Sequence, residues 1–211
     1  SHDFVTHQAL DQRALLAPIV KGHMRLAPAT APGLADLIDL ALTAPAGPVH
    51  IDLSGDDAAR PASLRGDGSG STESAERMLP ISSAAALIAE AQRPVIIAGL
   101  EARAPGAAAA LARLARKLDC PVLATYKAKG TFPDDDPLAV GMFTGGAAES
   151  ACVGQADLII LFGVDPVELI PHQWRYRAPI LEFSVFAGHR QYAKPAERMT
   201  GPLASAADLV L

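Results

Sequence analysis

Gly99, Gly130 and Gly163 each lie at or just past the end of an apolar run, and so do Arg103, Lys127 and Lys129. A glycine at a strand end lets backbone approach a phosphate closely, and the next turn or helix offers unpaired N–H groups. With Asp165 just beyond Gly163, this set fits a pocket for a nucleotide or coenzyme. The residues also have ordinary readings. Each cation taken singly is surface charge, and Gly99-Leu100-Glu101-Ala102-Arg103 is equally a tight turn with a solvated Glu101 and Arg103. Neither G-x-G-x-x-G nor a Walker A pattern occurs.

Other chemistries have less support. Asp134-Asp135-Asp136 lies between Pro133 and Pro137 and reads as a solvated turn, since consecutive carboxylates diverge. The six histidines (2, 7, 23, 50, 172 and 189) contain no H-x-x-x-H pair, so spacing provides no zinc site. A G-x-S-x-G elbow is absent, which disfavours serine hydrolysis. Cys120 and Cys152 sit in apolar surroundings and read as reduced, buried thiols of a cytoplasmic protein.

The elements that would hold these residues follow from periodicity. A helix is expected from Gly33 to Thr43, with Leu34, Leu37, Ile38, Ala41 and Leu42 on one apolar face. Val49–Leu53 reads as an alternating strand, and residues 12–27 show no clear period. The texture changes from Ser54 to about Pro80, and within it Arg60–Ser71 is rich in Gly and Ser and poor in large apolar residues, which reads as a linker over 61–80. Helices are then expected at 84–91 (capped by Ser82-Ser83), 107–118, 147–153 and 202–211. Strands are expected at 94–99, 121–125, 157–163 and 179–185. Strands apolar on both sides, alternating with helices, imply a parallel sheet covered on both faces. The expected fold class is therefore α/β, a Rossmann-like parallel sheet preceded by a partial α/β domain. Ligands of such sheets bind outside the carboxyl ends of the strands.

Composition agrees. Half of the 211 residues are hydrophobic but only 5% are aromatic, and alanine is about a fifth of the chain. That excludes a disordered chain. No apolar run approaches the roughly 20 residues of a membrane span. The net charge of -5, with no basic stripe, argues against a nucleic-acid partner. A start at Ser1-His2 without Met reads as an excised segment.

Arg93–Gly99 resembles the opening of the central domain of thiamine-diphosphate-dependent enzymes, among them acetolactate synthase, benzoylformate decarboxylase and oxalyl-CoA decarboxylase. Cys120–Thr125, Lys129–Leu138 and Ala156–Gly163 match further stretches of that domain, in order and spacing across 82–185. Gly47–Asp56 resembles the strand that closes the family's pyrimidine-binding domain. His7-Gln8-Ala9 resembles an earlier segment whose Gln lies near the active site, with His7 and Ala9 departing from the family pattern.

The resemblance implies residues 1–60 as the end of the pyrimidine-binding domain, 61–80 as linker and 81–211 as central domain. It leaves Gln8 as a substrate-side residue and places no catalytic residue in this segment. The parent would be a cytoplasmic homodimer or homotetramer acting on 2-oxo acids with thiamine diphosphate and Mg²⁺. The pyrimidine- and diphosphate-binding domains would complete it. Gly66-Asp67-Gly68 imitates the family's diphosphate motif, but it precedes the central domain, and the chain has no Asn to complete it.

Some relatives hold FAD or another nucleotide in the central domain. Leu100-Glu101, Gly163-Val164-Asp165-Pro166 and Ser184 depart from the family's usual residues, which points to an empty or altered pocket. The alternatives are a regulatory module binding FAD, ADP or coenzyme A, and a free-standing NAD-dependent enzyme. The missing glycine fingerprint disfavours the last. An orphan helix and strand before the linker should expose apolar surface.

Overall fold

The computed structural model describes residues 10–43, 45–61, 81–168, 173–185 and 193–210. The chain divides into two compact units, Ser1–Glu73 and Ser74–Leu211. Most of the expected linker, residues 62–80, lies outside the described residues.

The first unit contains α1 (Gln12–Leu16), β1 (His23–Arg25), α2 (Leu34–Leu42), β2 (His50–Asp52) and α3 (Gly55–Ala58). Side chains close its helix ends. Asp11 accepts from Ala14 N–H, and Ser54 accepts from Asp57 N–H, each a helix N-cap. The Lys21 ammonium donates to the Leu40 and Thr43 carbonyls at the last turn of α2. β1 and β2 pair in parallel, with His23 beside His50 and Arg25 beside Asp52. The expected apolar face of α2 is present, but only Leu37 is buried; Ile38 and Leu42 are exposed, as are Leu15, Ile19, Ile51 and Leu53. Two strands and three short helices do not cover one another.

The second unit contains α4 (Ile81–Glu90), β3 (Pro94–Ala98), α5 (Ala107–Leu118), β4 (Val122–Ala124), β5 (Ala139–Met142), α6 (Ser150–Val153), β6 (Leu158–Phe162), β7 (Ile180–Ser184), β8 (Glu197–Thr200) and α7 (Leu203–Asp208). Ser82 and Ser83 fall inside α4 and not at its cap, because the helix already includes Ile81. The strands form one sheet in the order β5-β4-β3-β6-β7-β8, and every pairing is parallel. This is the expected α/β class.

Alternation within β3, β6 and β7 builds two cores. Ile96, Ala98, Leu158, Ile160, Phe162, Leu181 and Phe183 face one side, against Ala107, Ala110, Leu111 and Leu114 of α5. Val95, Ile97, Ile159, Leu161 and Ile180 face the other, with Phe143 and Val153. Alanines on α5 let the helix lie close to the sheet, which explains a full core from few aromatics. Both cysteines are free. Cys120 is buried and Cys152 half-buried. Burial pushes the Cys120 thiol up to about 12, which makes it inert. Among the described residues no helix is long and apolar enough to cross a membrane.

Candidate functional site

β3 lies between β4 and β6, so the chain leaves β3 in one direction and returns on the other side. The sheet's switch point is therefore the pair β3/β6, and its crevice lies beyond Ala98 and Phe162. Gly99 and Gly163 follow these strands directly and meet there. Gly99 N–H donates to Phe162 O (2.9 Å), and Glu101 N–H donates to Gly163 O (3.0 Å). A methyl group on Gly99 would lie 2.3 Å from Val164 Cα and 2.5 Å from Gly163 O. Gly163 has φ +65° and is hemmed in by Leu203 and Glu101. Both glycines serve the crossing of the chain's own loops.

Several N–H groups at this crevice, those of Gly99, Leu100, Glu101 and Asp165, already donate within the chain. Glu168, 2% exposed, reaches back over the crevice. Its Oε1 accepts from Leu100 N–H (2.7 Å) and Asp165 N–H (2.8 Å), and its Oε2 from the Thr125 hydroxyl (2.5 Å). One carboxylate thus ties together the loops after β3, β4 and β6. Glu101 does the same for β7, accepting from Val185 N–H (2.9 Å) and the Ser184 hydroxyl (3.3 Å). The solvated Glu101 expected from sequence is corrected here: its side chain turns inward, whereas Arg103 is exposed.

The remaining members of the expected pocket do not converge on one point. Lys127 and Gly130 are exposed, and Lys129 pairs with Asp134 (2.7 Å). Asp165 donates its N–H to Glu168 and accepts from Val167 N–H (2.9 Å). Asp134 and Asp135 form a turn, and Asp136 binds Arg116 (3.0 Å). Gln8 lies outside the described residues. Two open clefts lie at the opposite, amino end of the strands. One is lined by Arg93, Pro94 and Pro121, the other by Trp174, Pro179 and Pro195. Sequence reasoning had Thr125 only as a strand end and missed Glu168, whose partners are far away along the chain.

Burial raises the Glu101 carboxyl from 4.5 to about 7, with the nearby Asp165 and Glu182 adding to the shift. Below pH 4.5 the group is protonated in both folded and unfolded chains, and its contribution to stability is whole. As pH rises to about 7 the unfolded chain releases the proton first, so stability falls. With allowance for solvent screening, the loss is up to about 2 kcal/mol. Urea unfolding at pH 4.5 and pH 8 should show this loss in the wild type and not in Glu101→Gln. Equal pH slopes in the two proteins would exclude the assignment.

Fold and crevice together define a Rossmann-like parallel α/β sheet whose switch-point loops are tied together by Glu168 and Glu101. The family model for the thiamine pyrophosphate enzyme central domain matches residues 81–197. The chain belongs to that family. It is 35% identical over 184 residues to a "probable acetolactate synthase large subunit" of Methanocaldococcus jannaschii, covering 82% of this chain and 31% of that protein. It is 33% identical over 181 residues to a "probable 2-ketoarginine decarboxylase" of Pseudomonas aeruginosa, with coverage of 82% and 31%. A sulfoacetaldehyde acetyltransferase of Roseovarius nubinhibens is 33% identical over 110 residues, 48% of this chain and 18% of that protein. The chain spans about a third or less of the length of these curated relatives.

Proposed function

We propose that this chain is the central region of a thiamine-diphosphate-dependent enzyme that acts on 2-oxo acids. The enzyme decarboxylates them or joins them to a second carbonyl, as the names of its relatives indicate for those proteins. When bound, the cofactor supplies the electron sink. Residues of this chain do not suit its diphosphate and Mg²⁺, since Gly66-Asp67-Gly68 precedes the central domain and the chain contains no Asn to complete such a motif. The cofactor therefore belongs to segments beyond these residues. In this reading residues 1–60 end a pyrimidine-binding domain and 61–80 are linker. The whole is a cytoplasmic homodimer or homotetramer.

The central domain acts in it as scaffold. The observation that carries this is Glu168, which takes the crevice donors an FAD or ADP diphosphate would need. A second anion there would meet the buried Glu168 carboxylate in a confined space. Equilibrium dialysis of this chain against FAD, ADP, coenzyme A and thiamine diphosphate at about 0.1 mM should retain none of them. A yellow protein, or nucleotide released on denaturation, would favour the regulatory-module reading instead. The full-length gene product with thiamine diphosphate and Mg²⁺ should release CO₂ from pyruvate or another 2-oxo acid. No release across a panel of such acids would remove the proposed activity.

A further inference from the structure

Outside the crevice, among the described residues, strand pairing assembles a cluster of metal-ligating side chains. Parallel register places His23 of β1 beside His50 of β2. Asp52 lies two residues beyond His50, so period two returns it to the same face. His23 Nε2 is 2.7 Å from Asp52 Oδ2, and His50 Nε2 is 3.3 Å from Asp52 Oδ1. The rings lie 5.1 Å apart and are tilted by 45°. One ligand atom from each residue falls within 4.8 Å of the other two.

We propose that His23, His50 and Asp52 form a binding site for a divalent transition metal ion, zinc foremost. Two imidazoles and one carboxylate are a three-ligand set that leaves a fourth position for water. Tetrahedral zinc with bonds of about 2.0–2.1 Å sets its donors about 3.3 Å apart. The two imidazoles approach different oxygens of Asp52, His23 at Oδ2 and His50 at Oδ1, so binding one ion through a single oxygen asks for a small rotation of the carboxylate within a set already no wider than 4.8 Å. The side chains are 18%, 16% and 31% exposed, shielded on most sides yet open enough for an ion to enter. Arg25, beside Asp52 in register, directs its guanidinium to Asp57 (3.1 Å), leaving the Asp52 carboxylate to the histidines. Sequence spacing could not reveal this set, because His23 and His50 meet only through the β1–β2 register.

The test is zinc titration of the intact chain by calorimetry, with Co²⁺ absorption as a second reading. One Zn²⁺ per chain is expected, with the visible bands of four-coordinate Co²⁺. His23→Gln, His50→Gln and Asp52→Asn should each weaken this binding at least about tenfold, while His172→Gln leaves it intact. Zinc should also raise the unfolding temperature of the wild type and of His172→Gln, but not of the three site variants. The cobalt spectrum of the wild type needs no variant to fold. Absence of those bands, or equal zinc affinity in wild type and the three variants, overturns the proposal.

Discussion

Glu168→Ala is expected to lower stability by about 2–3 kcal/mol, because one buried and two half-buried donors lose their acceptor at once. These are the N–H groups of Leu100 and Asp165 and the hydroxyl of Thr125. Each unpaired buried donor costs about 1–3 kcal/mol, less whatever water entering the gap restores. Thr125 cannot turn its hydroxyl away without cost, since the same oxygen accepts from Ala128 N–H (3.3 Å). Glu168→Gln keeps one carbonyl oxygen for the two N–H groups and should recover part of the loss. Urea midpoints for the three proteins would decide this. If the alanine variant unfolds at the wild-type midpoint, the loops after β3, β4 and β6 are held by something other than Glu168.

The second large effect belongs to Gly99. Its backbone is extended (φ -119°, ψ -173°), a conformation open to any residue, so the constraint is space alone. The added methyl would collide with backbone atoms of Val164 and Gly163, which cannot rotate aside as a side-chain end can. Gly99→Ala must therefore push the β3 and β6 loops apart. About 3 kcal/mol of destabilisation is expected, at the upper end for overpacking. Gly55→Ala provides the contrast, since nothing lies within 4 Å of a methyl there. It should change stability by less than about 0.5 kcal/mol. Similar losses in both variants would mean that the close loop crossing is not what Gly99 serves.

These two residues also mark the limit of sequence reading. Gly99 was legible, because it ends an apolar run where a parallel sheet places its crevice. Glu168 was not, since it lies 68 residues from Leu100 and 43 from Thr125 in sequence. Only the folded order of strands joins them. The inner strands β3, β6 and β7 were legible because both their faces are buried, and α5 because its apolar residues repeat at helical spacing. β5 and β8 were not, because edge strands carry mixed residues such as Gly141, Glu197 and Arg198. β1 is only three residues long, and its pairing with β2 defines it. His23, His50 and Asp52 follow the same logic as Glu168: the residue types were visible and the register was not.

The position of β3 between β4 and β6 has a consequence for how the chain is made. β4 follows β3 closely, but β6 leaves the ribosome only after α5, β4, β5 and α6. Throughout that interval one edge of Pro94–Ala98 has no strand to pair with. An apolar strand with a bare edge invites association with another chain. The pairing of Pro94 with Leu158 also closes a long loop before it returns any contact energy. Slow synthesis or weak chaperone capacity should therefore reduce the yield of this sheet before it affects the stability of the finished one.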